Sequence, residues 1–208
     1  MGKNWKVDRW GLVGLSMLVI GASLFYVAVR HGWGDEGLRG AIRVTARSSL
    51  FLFLFAFSAS SLKTFLPSDG TRWLLANRRF FGIAFALSHL IHGAAIITLA
   101  TLTGGGSLTA RVVGLGSAGV LYGFILFMLA TSFDRTAAWV GPRWWKIVHT
   151  LGSYLVYLTF LATYARKATD SPAFLPHTLL LLAVLGLRIA RRARGRRGDV
   201  MGAKSASP

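Results

Sequence analysis

Residues 80–102 read FFGIAFALSHLIHGAAIITLATL, a stretch without a single Asp, Glu, Lys or Arg. Because roughly 20 apolar residues in a helix cross a hydrocarbon layer of about 30 Å, this stretch predicts a transmembrane helix. Five further apolar stretches lie on either side of it, bounded by charged or turn residues, at 10–29, 41–62, 112–131, 145–165 and 173–190, and Arg43 and Arg47 interrupt the opening turns of the second span. The sequence therefore predicts an all-α integral membrane bundle of six transmembrane helices.

The composition of the chain excludes an ordinary soluble domain. Hydrophobic residues make up 53% of the 208 residues and charged residues 15%, with a mean hydropathy of +0.53, whereas soluble domains carry about 25% charged residues. The predicted spans and their linkers take up nearly the whole chain. We therefore predict three regions, which are a cytoplasmic N-terminal tail at 1–9, a transmembrane domain at 10–190 and a basic, disordered cytoplasmic tail at 191–208.

The net charge of +17 comes from 24 Lys and Arg against 7 Asp and Glu, a balance that is also typical of nucleic-acid-binding proteins. The distribution of the charges argues for a different explanation. If both termini are cytoplasmic, 17 of the 24 basic residues fall on the cytoplasmic side, as the positive-inside rule expects. We therefore predict cytoplasmic termini and no nucleic-acid partner. The Arg-rich run at 188–197, directly after the last span, is expected to contact membrane lipids with anionic headgroups.

Cysteine and glycine narrow the kinds of site that the chain can hold. The absence of Cys excludes disulfides, thiolate metal ligands and iron–sulfur clusters. Residues 114–119 match G-x-G-x-x-G, but they lie inside an apolar span rather than between a strand and a helix, so no dinucleotide-binding loop is expected. Gly119 and Gly123 form a G-x-x-x-G pair, which predicts the close approach of two transmembrane helices.

Four of the five histidines fall within predicted spans, at His89, His92, His149 and His177. An ionisable side chain inside a membrane is costly to bury, and it indicates a functional site. Gly93 follows His89, and Gly152 follows His149, on the same helical faces. Two interpretations stay open: the small residues leave a slot for a flat macrocycle with imidazole as axial ligand, or they allow close packing around hydrogen-bonded, structural histidines.

Two stretches carry a resemblance to a known family. Residues 77–92, NRRFFGIAFALSHLIH, resemble the segment from arginine and glycine to Leu-His in the ferric reductase-like transmembrane family. Residues 144–149, WWKIVH, resemble the Trp-Lys-x-x-His pattern that opens a later helix of that family. The resemblance covers most of the chain from the second to the fifth span. Within the family, the chain is most similar to haem-binding membrane subunits of bacterial methionine sulfoxide reductase systems, which have no fused flavin domain.

The resemblance implies a b-type haem in a protein of the bacterial inner (plasma) membrane. Matched residue by residue, His89 and His149 are the implied ligands of the iron. At the positions of a second ligand pair this chain has residues 161–164 and 102–103, which contain no His, so one haem is implied. His92 and His177 are the remaining candidates for a second. Four basic residues at the cytoplasmic ends of the ligand helices are candidate partners of haem propionates, namely Arg78, Arg79, Arg143 and Lys146.

The resemblance also implies an electron-transfer role with separate partners. Electrons would come from a cytoplasmic-side flavin reductase or from quinol, with FMN or quinone as a further cofactor, and would pass to an outer-face acceptor such as a periplasmic oxidoreductase. The alternative is a non-redox membrane transporter or scaffold with structural or proton-handling histidines. All seven Asp and Glu lie in predicted loops or tails, which argues against an ion-coupled transporter.

Overall fold

The computed structural model describes the backbone of residues 9–104 and 108–205 and the side chains of residues 9–104, 116 and 118–195. These residues form helices and contain no strand, which confirms the all-α prediction. The predicted N-terminal tail lies outside the described residues, except for Arg9. The helices are α1 (Trp10–His31), α2 (Asp35–Phe65), α3 (Asp69–Ala76), α4 (Arg78–Leu102), α5 (Leu108–Ala130), α6 (Asp134–Val140), α7 (Pro142–Asp170), a 3₁₀ turn (Pro172–Phe174) and α8 (Leu175–Ser205).

Five helical stretches are long and apolar enough to cross a membrane. They are α1, α2, α4, α7 and the segment Pro172–Gly195, which joins the 3₁₀ turn to α8. Where the sequence predicts the fourth span, the described part of α5 and the short α6 form a pair bent by 113°. The structure thus has five or six candidate spans, depending on whether this bent pair is taken as one.

The structure differs from the sequence-based prediction at three places. Two short helices, α3 and α6, lie in predicted loops, and each is too short to show a helical period in the sequence. In α3, Ser68 and Thr71 form a capping box in which each side chain bonds the other's backbone. The predicted disordered tail is instead helical up to Ser205. Five of its residues are Arg, a good helix former, and α8 extends beyond its apolar part although the stretch also contains three Gly.

The chain divides into two compact units. The first comprises the described parts of Met1–Phe53 and Arg79–Val156, and the second comprises those of Leu54–Arg78 and Tyr157–Pro208. Both α2 and α7 therefore contribute one half to each unit. His89, His92 and His149 belong to the first unit, and His177 belongs to the second.

Close helix packing in the first unit occurs at glycines other than the predicted pair. A Cβ at Gly119 or Gly123 would meet no described atom within 4 Å, so the prediction of close approach at the G-x-x-x-G pair is wrong for the described part of the chain. Tight contacts occur instead at Gly40, whose Cβ would lie 2.5 Å from the Val27 side chain, and at Gly152, whose Cβ would lie 2.8 Å from that of Met128. Spacing alone did not show which glycines face a neighbour.

In the second unit, one arginine connects α8 to α2. The Arg188 Nη1 atom donates a hydrogen bond to the Phe57 carbonyl at 2.6 Å, and the guanidinium carbon lies 3.8 Å from the centroid of the Phe57 ring. The α7 segment of this unit joins through Tyr157, whose ring stacks on Phe57 at 5.1 Å and whose hydroxyl donates to the Leu181 carbonyl at 2.9 Å. These contacts tie the α2, α7 and α8 segments of the unit together.

We expect Arg188→Ala to lower the free energy of unfolding by about 2 kcal/mol, since it removes a charge-assisted hydrogen bond and a cation–π contact. The measurement is denaturant or thermal unfolding in detergent micelles. Arg194→Ala, which removes an exposed arginine of the same helix, is the matched control and should change stability by less than about 0.5 kcal/mol. Equal effects of the two substitutions would show that the contacts of Arg188 contribute nothing specific.

Candidate functional site in the first unit

His89 lies in the interior of α4, in the stretch that carries no charged residue. Its side chain is buried, and the residue is 8% exposed. The imidazole is lined by aromatic rings, with centroids 5.5 Å away in Phe85, 5.2 Å in His92 and 5.3 Å in Tyr122. Two of these three rings are aromatic carbocycles and the third is a second imidazole.

Tyr122 of α5 fills the space next to His89. Its ring stacks on the imidazole with an interplanar angle of 25°, and its hydroxyl donates to the His89 carbonyl at 3.2 Å. A Cβ at Gly93 would come within 2.6 to 2.8 Å of the Tyr122 hydroxyl and ring carbons. The glycine therefore makes room for a tyrosine of the neighbouring helix, and at this point the small residues serve close helix packing.

His92 is held by α2. Its Nδ1 atom lies 3.2 Å from the Ile42 carbonyl and 3.1 Å from Thr45 Oγ1. A carbonyl only accepts hydrogen bonds, so Nδ1 carries the proton and, in the neutral ring, Nε2 carries the lone pair. The Thr45 hydroxyl in turn donates to the Ala41 carbonyl at 2.7 Å. This arrangement fixes the tautomer and orientation of the imidazole.

The same two helices share a buried polar seam that the sequence did not single out. Ser49 Oγ donates to Ser88 Oγ at 3.0 Å, and Ser88 Oγ donates to the Thr45 carbonyl at 3.4 Å. All three residues are fully buried. Their spacing offered a signal, because Thr45 and Ser49 are four residues apart on one face of α2 and Ser88 precedes His89. Polar residues on matching faces of neighbouring helices indicate a hydrogen-bonded interface.

His149 lies near the start of α7 and makes different contacts. Its ring stacks on Trp145 with a centroid distance of 4.2 Å, and its Nε2 atom lies 2.9 Å from Thr131 Oγ1. Because the Thr131 hydroxyl donates to the Phe127 carbonyl at 2.7 Å, it accepts a hydrogen bond from His149 Nε2. Trp145 Nε1 also donates to the Thr131 carbonyl at 2.9 Å. Thr131 thus anchors the beginning of α7 to the end of α5.

The two histidines that match the family pattern contact α5 at different levels. His89 packs on Tyr122 and His149 bonds Thr131. These α5 positions are nine residues apart, which corresponds to about 13 Å along a helix. Two imidazoles on one metal ion have their ligating nitrogens only about 4 Å apart, twice a typical metal–nitrogen bond. The contacts of the two histidines thus lie about two and a half turns apart along this part of the chain.

The other predicted site residues have contacts of their own. In the second unit, His177 stacks on Tyr164 at 5.1 Å, and Arg78 Nη1 donates to Ser60 Oγ at 3.3 Å. In the first unit, Arg79 forms an ion pair with Asp134 at 2.6 Å, while Arg143 and Lys146 are exposed. Their role as propionate partners stays a prediction. Among the described side chains, no three His, Asp or Glu are grouped in a way that would hold a metal ion.

We expect Thr131→Val to lower the free energy of unfolding by about 1 to 2 kcal/mol, because it leaves the Nε2 hydrogen of His149 without its acceptor. The same substitution should reduce the population of the Nε2-protonated tautomer, which the nitrogen chemical shifts of labelled histidine report. Thr150→Val alters an exposed position next to His149 and serves as the control. Unchanged histidine shifts in the Thr131 variant would contradict the assigned hydrogen bond.

In the described structure, His89 contacts His92 and Tyr122, while His149 contacts Trp145 and Thr131. Comparisons of the chain with family models, with curated proteins and with solved structures gave no match.

Proposed function

We propose that the chain is a haem b-binding membrane subunit that relays electrons across the inner membrane. The observation that carries the proposal is His89, a buried imidazole in the interior of an apolar helix. An ionisable side chain at such a position is costly to bury and indicates a functional site. In the proposal, electrons arrive from a cytoplasmic-side flavin reductase or quinol and leave to an outer-face acceptor.

The chemistry of the donor fits a haem iron. A neutral imidazole is a common axial ligand, and the aromatic and aliphatic groups around His89 provide the low dielectric that tunes a haem. Phe85 and Ala86 are buried on the preceding turn of α4, and they would line the same pocket. A bound haem would supply the one-electron chemistry, while the chain supplies the ligand, the apolar surroundings and the position within the membrane.

The proposal requires one rearrangement beside His89. Tyr122 now stacks on the imidazole and fills the notch at Gly93, so a macrocycle at this face needs the tyrosine side chain to turn away. For His149 to bind the same iron, the α7 segment would also have to shift along α5 and release Thr131. We therefore propose His89 as the principal ligand and assign His149 no bond to the same iron.

The test is a pyridine haemochrome assay on the chain purified in detergent, both as isolated and after incubation with haemin. The expected result is a b-type haemochrome with about one haem per chain, and a Soret band that shifts on reduction. A chain that stays free of haem after incubation, while folded and monodisperse, would overturn the proposal.

A second candidate is a non-redox membrane scaffold with structural histidines. The specific observation in its favour is that side chains of a neighbouring helix already fill the space next to two glycines, Tyr122 next to Gly93 and Met128 next to Gly152. The hydrogen bonds of His92 to Ile42 and of His149 to Thr131 also connect neighbouring segments of the structure, as expected of structural histidines. If this candidate holds, haemin will leave the thermal unfolding midpoint of the purified chain unchanged. A raised midpoint favours the haem proposal.

A further inference from the structure

The first half of α2 carries a row of exposed arginines. Arg39, Arg43 and Arg47 are all exposed, and their spacing of four residues places them on one face of the helix. The next position in the row is Phe51, which is 42% exposed, within the wholly apolar run LFLFLFAF at 50–57. The exposed face of α2 thus changes from arginine to phenylalanine between 47 and 51.

The opposite face of this half-helix is the one that packs within the first unit. Thr45 and Ser49 are fully buried against α4, and Gly40, at the side of the arginine row, is buried against Val27 of α1. The arginine row therefore points away from α4, and its side chains are exposed beside the contact with α1. Arg39 is paired with Asp35 at 2.9 Å. In the described part of the chain, Arg43 and Arg47 have neither a hydrogen-bond nor an ion-pair partner.

The length of α2 indicates where these two arginines lie in a bilayer. The helix has 31 residues, which corresponds to about 46 Å, and it exceeds a hydrocarbon layer of about 30 Å by roughly ten residues. With its C-terminal end at the opposite boundary, the hydrocarbon layer begins close to residue 45. Arg43 and Arg47 flank that boundary, and two guanidinium groups at this depth need an anion.

We propose that Arg43 and Arg47 form a binding site for the headgroup of an anionic phospholipid with two phosphate groups. Arginine binds phosphate through paired N–H donors, and side chains four residues apart are separated by about 6 Å, which suits two phosphates of one headgroup. The site also gives a reason for arginines in a segment that the positive-inside rule expects to be poor in them. The inference does not rest on haem binding.

The experiment is native mass spectrometry of the full chain in detergent, titrated with cardiolipin and separately with phosphatidylcholine. The wild-type chain should bind cardiolipin in preference to phosphatidylcholine. Arg43→Gln/Arg47→Gln should weaken cardiolipin binding on the order of tenfold or more. Arg43→Lys/Arg47→Lys keeps the charge without the paired donors. The affinity of this variant for cardiolipin should therefore lie between that of the wild type and that of the Gln variant. This variant also keeps the test open if the Gln variant does not fold.

The matched control is Arg166→Gln/Lys167→Gln, which removes the same charge from an exposed segment on the same predicted side of the membrane. Its cardiolipin affinity should equal that of the wild type. Equal losses of cardiolipin affinity in both double variants would show that only the net charge matters, and would overturn the site. An unchanged cardiolipin affinity in the Arg43→Gln/Arg47→Gln variant would overturn it as well. Displacement of the lipid by an equal concentration of inorganic phosphate would overturn the assignment to a lipid.

Discussion

Replacing His89 with alanine is expected to abolish the Soret absorption that stays with the chain after haemin incubation and removal of unbound haemin. His89 is the buried imidazole in the interior of α4, and the proposal makes it the principal ligand of the iron. The haem content of wild type and variant is measured by the pyridine haemochrome assay, and size-exclusion chromatography confirms that the variant is folded.

The control substitution is His31→Ala, because the His31 side chain is 46% exposed at the end of α1. This variant should bind haem as the wild type does.

His149→Ala tests the ligand assignment separately. Since His149 contacts α5 about 13 Å from the level of Tyr122, we expect this variant to keep most of its haem. If His149→Ala loses haem as completely as His89→Ala, the two residues share one iron and the assignment of His89 as principal ligand is wrong. If His89→Ala retains its Soret band, haem binding through this residue is refuted.

Gly93→Ala is the second substitution for which we expect a large effect. A Cβ at this position would lie 2.6 Å from the Tyr122 hydroxyl oxygen and 2.7 to 2.8 Å from its ring carbons. Overpacking of this kind costs about 1 to 3 kcal/mol. The expected loss of stability runs against the intrinsic preference of helices for Ala over Gly, which is worth about 1 kcal/mol. The measurement is thermal or denaturant unfolding in detergent.

The matched control is Gly82→Ala, since a Cβ at Gly82 of the same helix meets no described atom within 4 Å. This variant should be as stable as the wild type or more stable. In a Tyr122→Ala background, Gly93→Ala should cost less stability than it does in the wild type, because the clash is absent. A Gly93→Ala protein as stable as the Gly82→Ala protein would contradict the packing of Tyr122 against α4.

The sequence was sufficient to predict the long helices, because length and hydropathy determine a membrane span without reference to neighbours. Residues 80–102, for example, lie within α4 at Arg78–Leu102. The short helices α3 and α6 could not be predicted in this way. Their formation depends on caps and on contacts such as the Arg79–Asp134 ion pair, which joins residues far apart in the chain.

The candidate site could be predicted only in part for a related reason. A histidine within an apolar run is conspicuous, so His89 and His92 could be identified from the sequence. Their partners could not, because Tyr122 and Thr45 lie on other helices and nothing in the residue pattern specifies which faces meet. The same limit applies to the glycines: Gly93 and Gly123 look alike in the sequence, and only the fold shows that the first one accepts a tyrosine.

A bend of 113° separates the direction of α6 from that of the described part of α5. If α5 follows the membrane normal, α6 runs nearly along the plane of the headgroups, where Trp139, at 88% exposure, meets its preferred interface. The exposed Asp134–Arg79 ion pair joins α6 to the first turn of α4. This short helix is therefore attached to two neighbouring spans, to α5 through the chain and to the helix that carries His89 through an ion pair that water weakens.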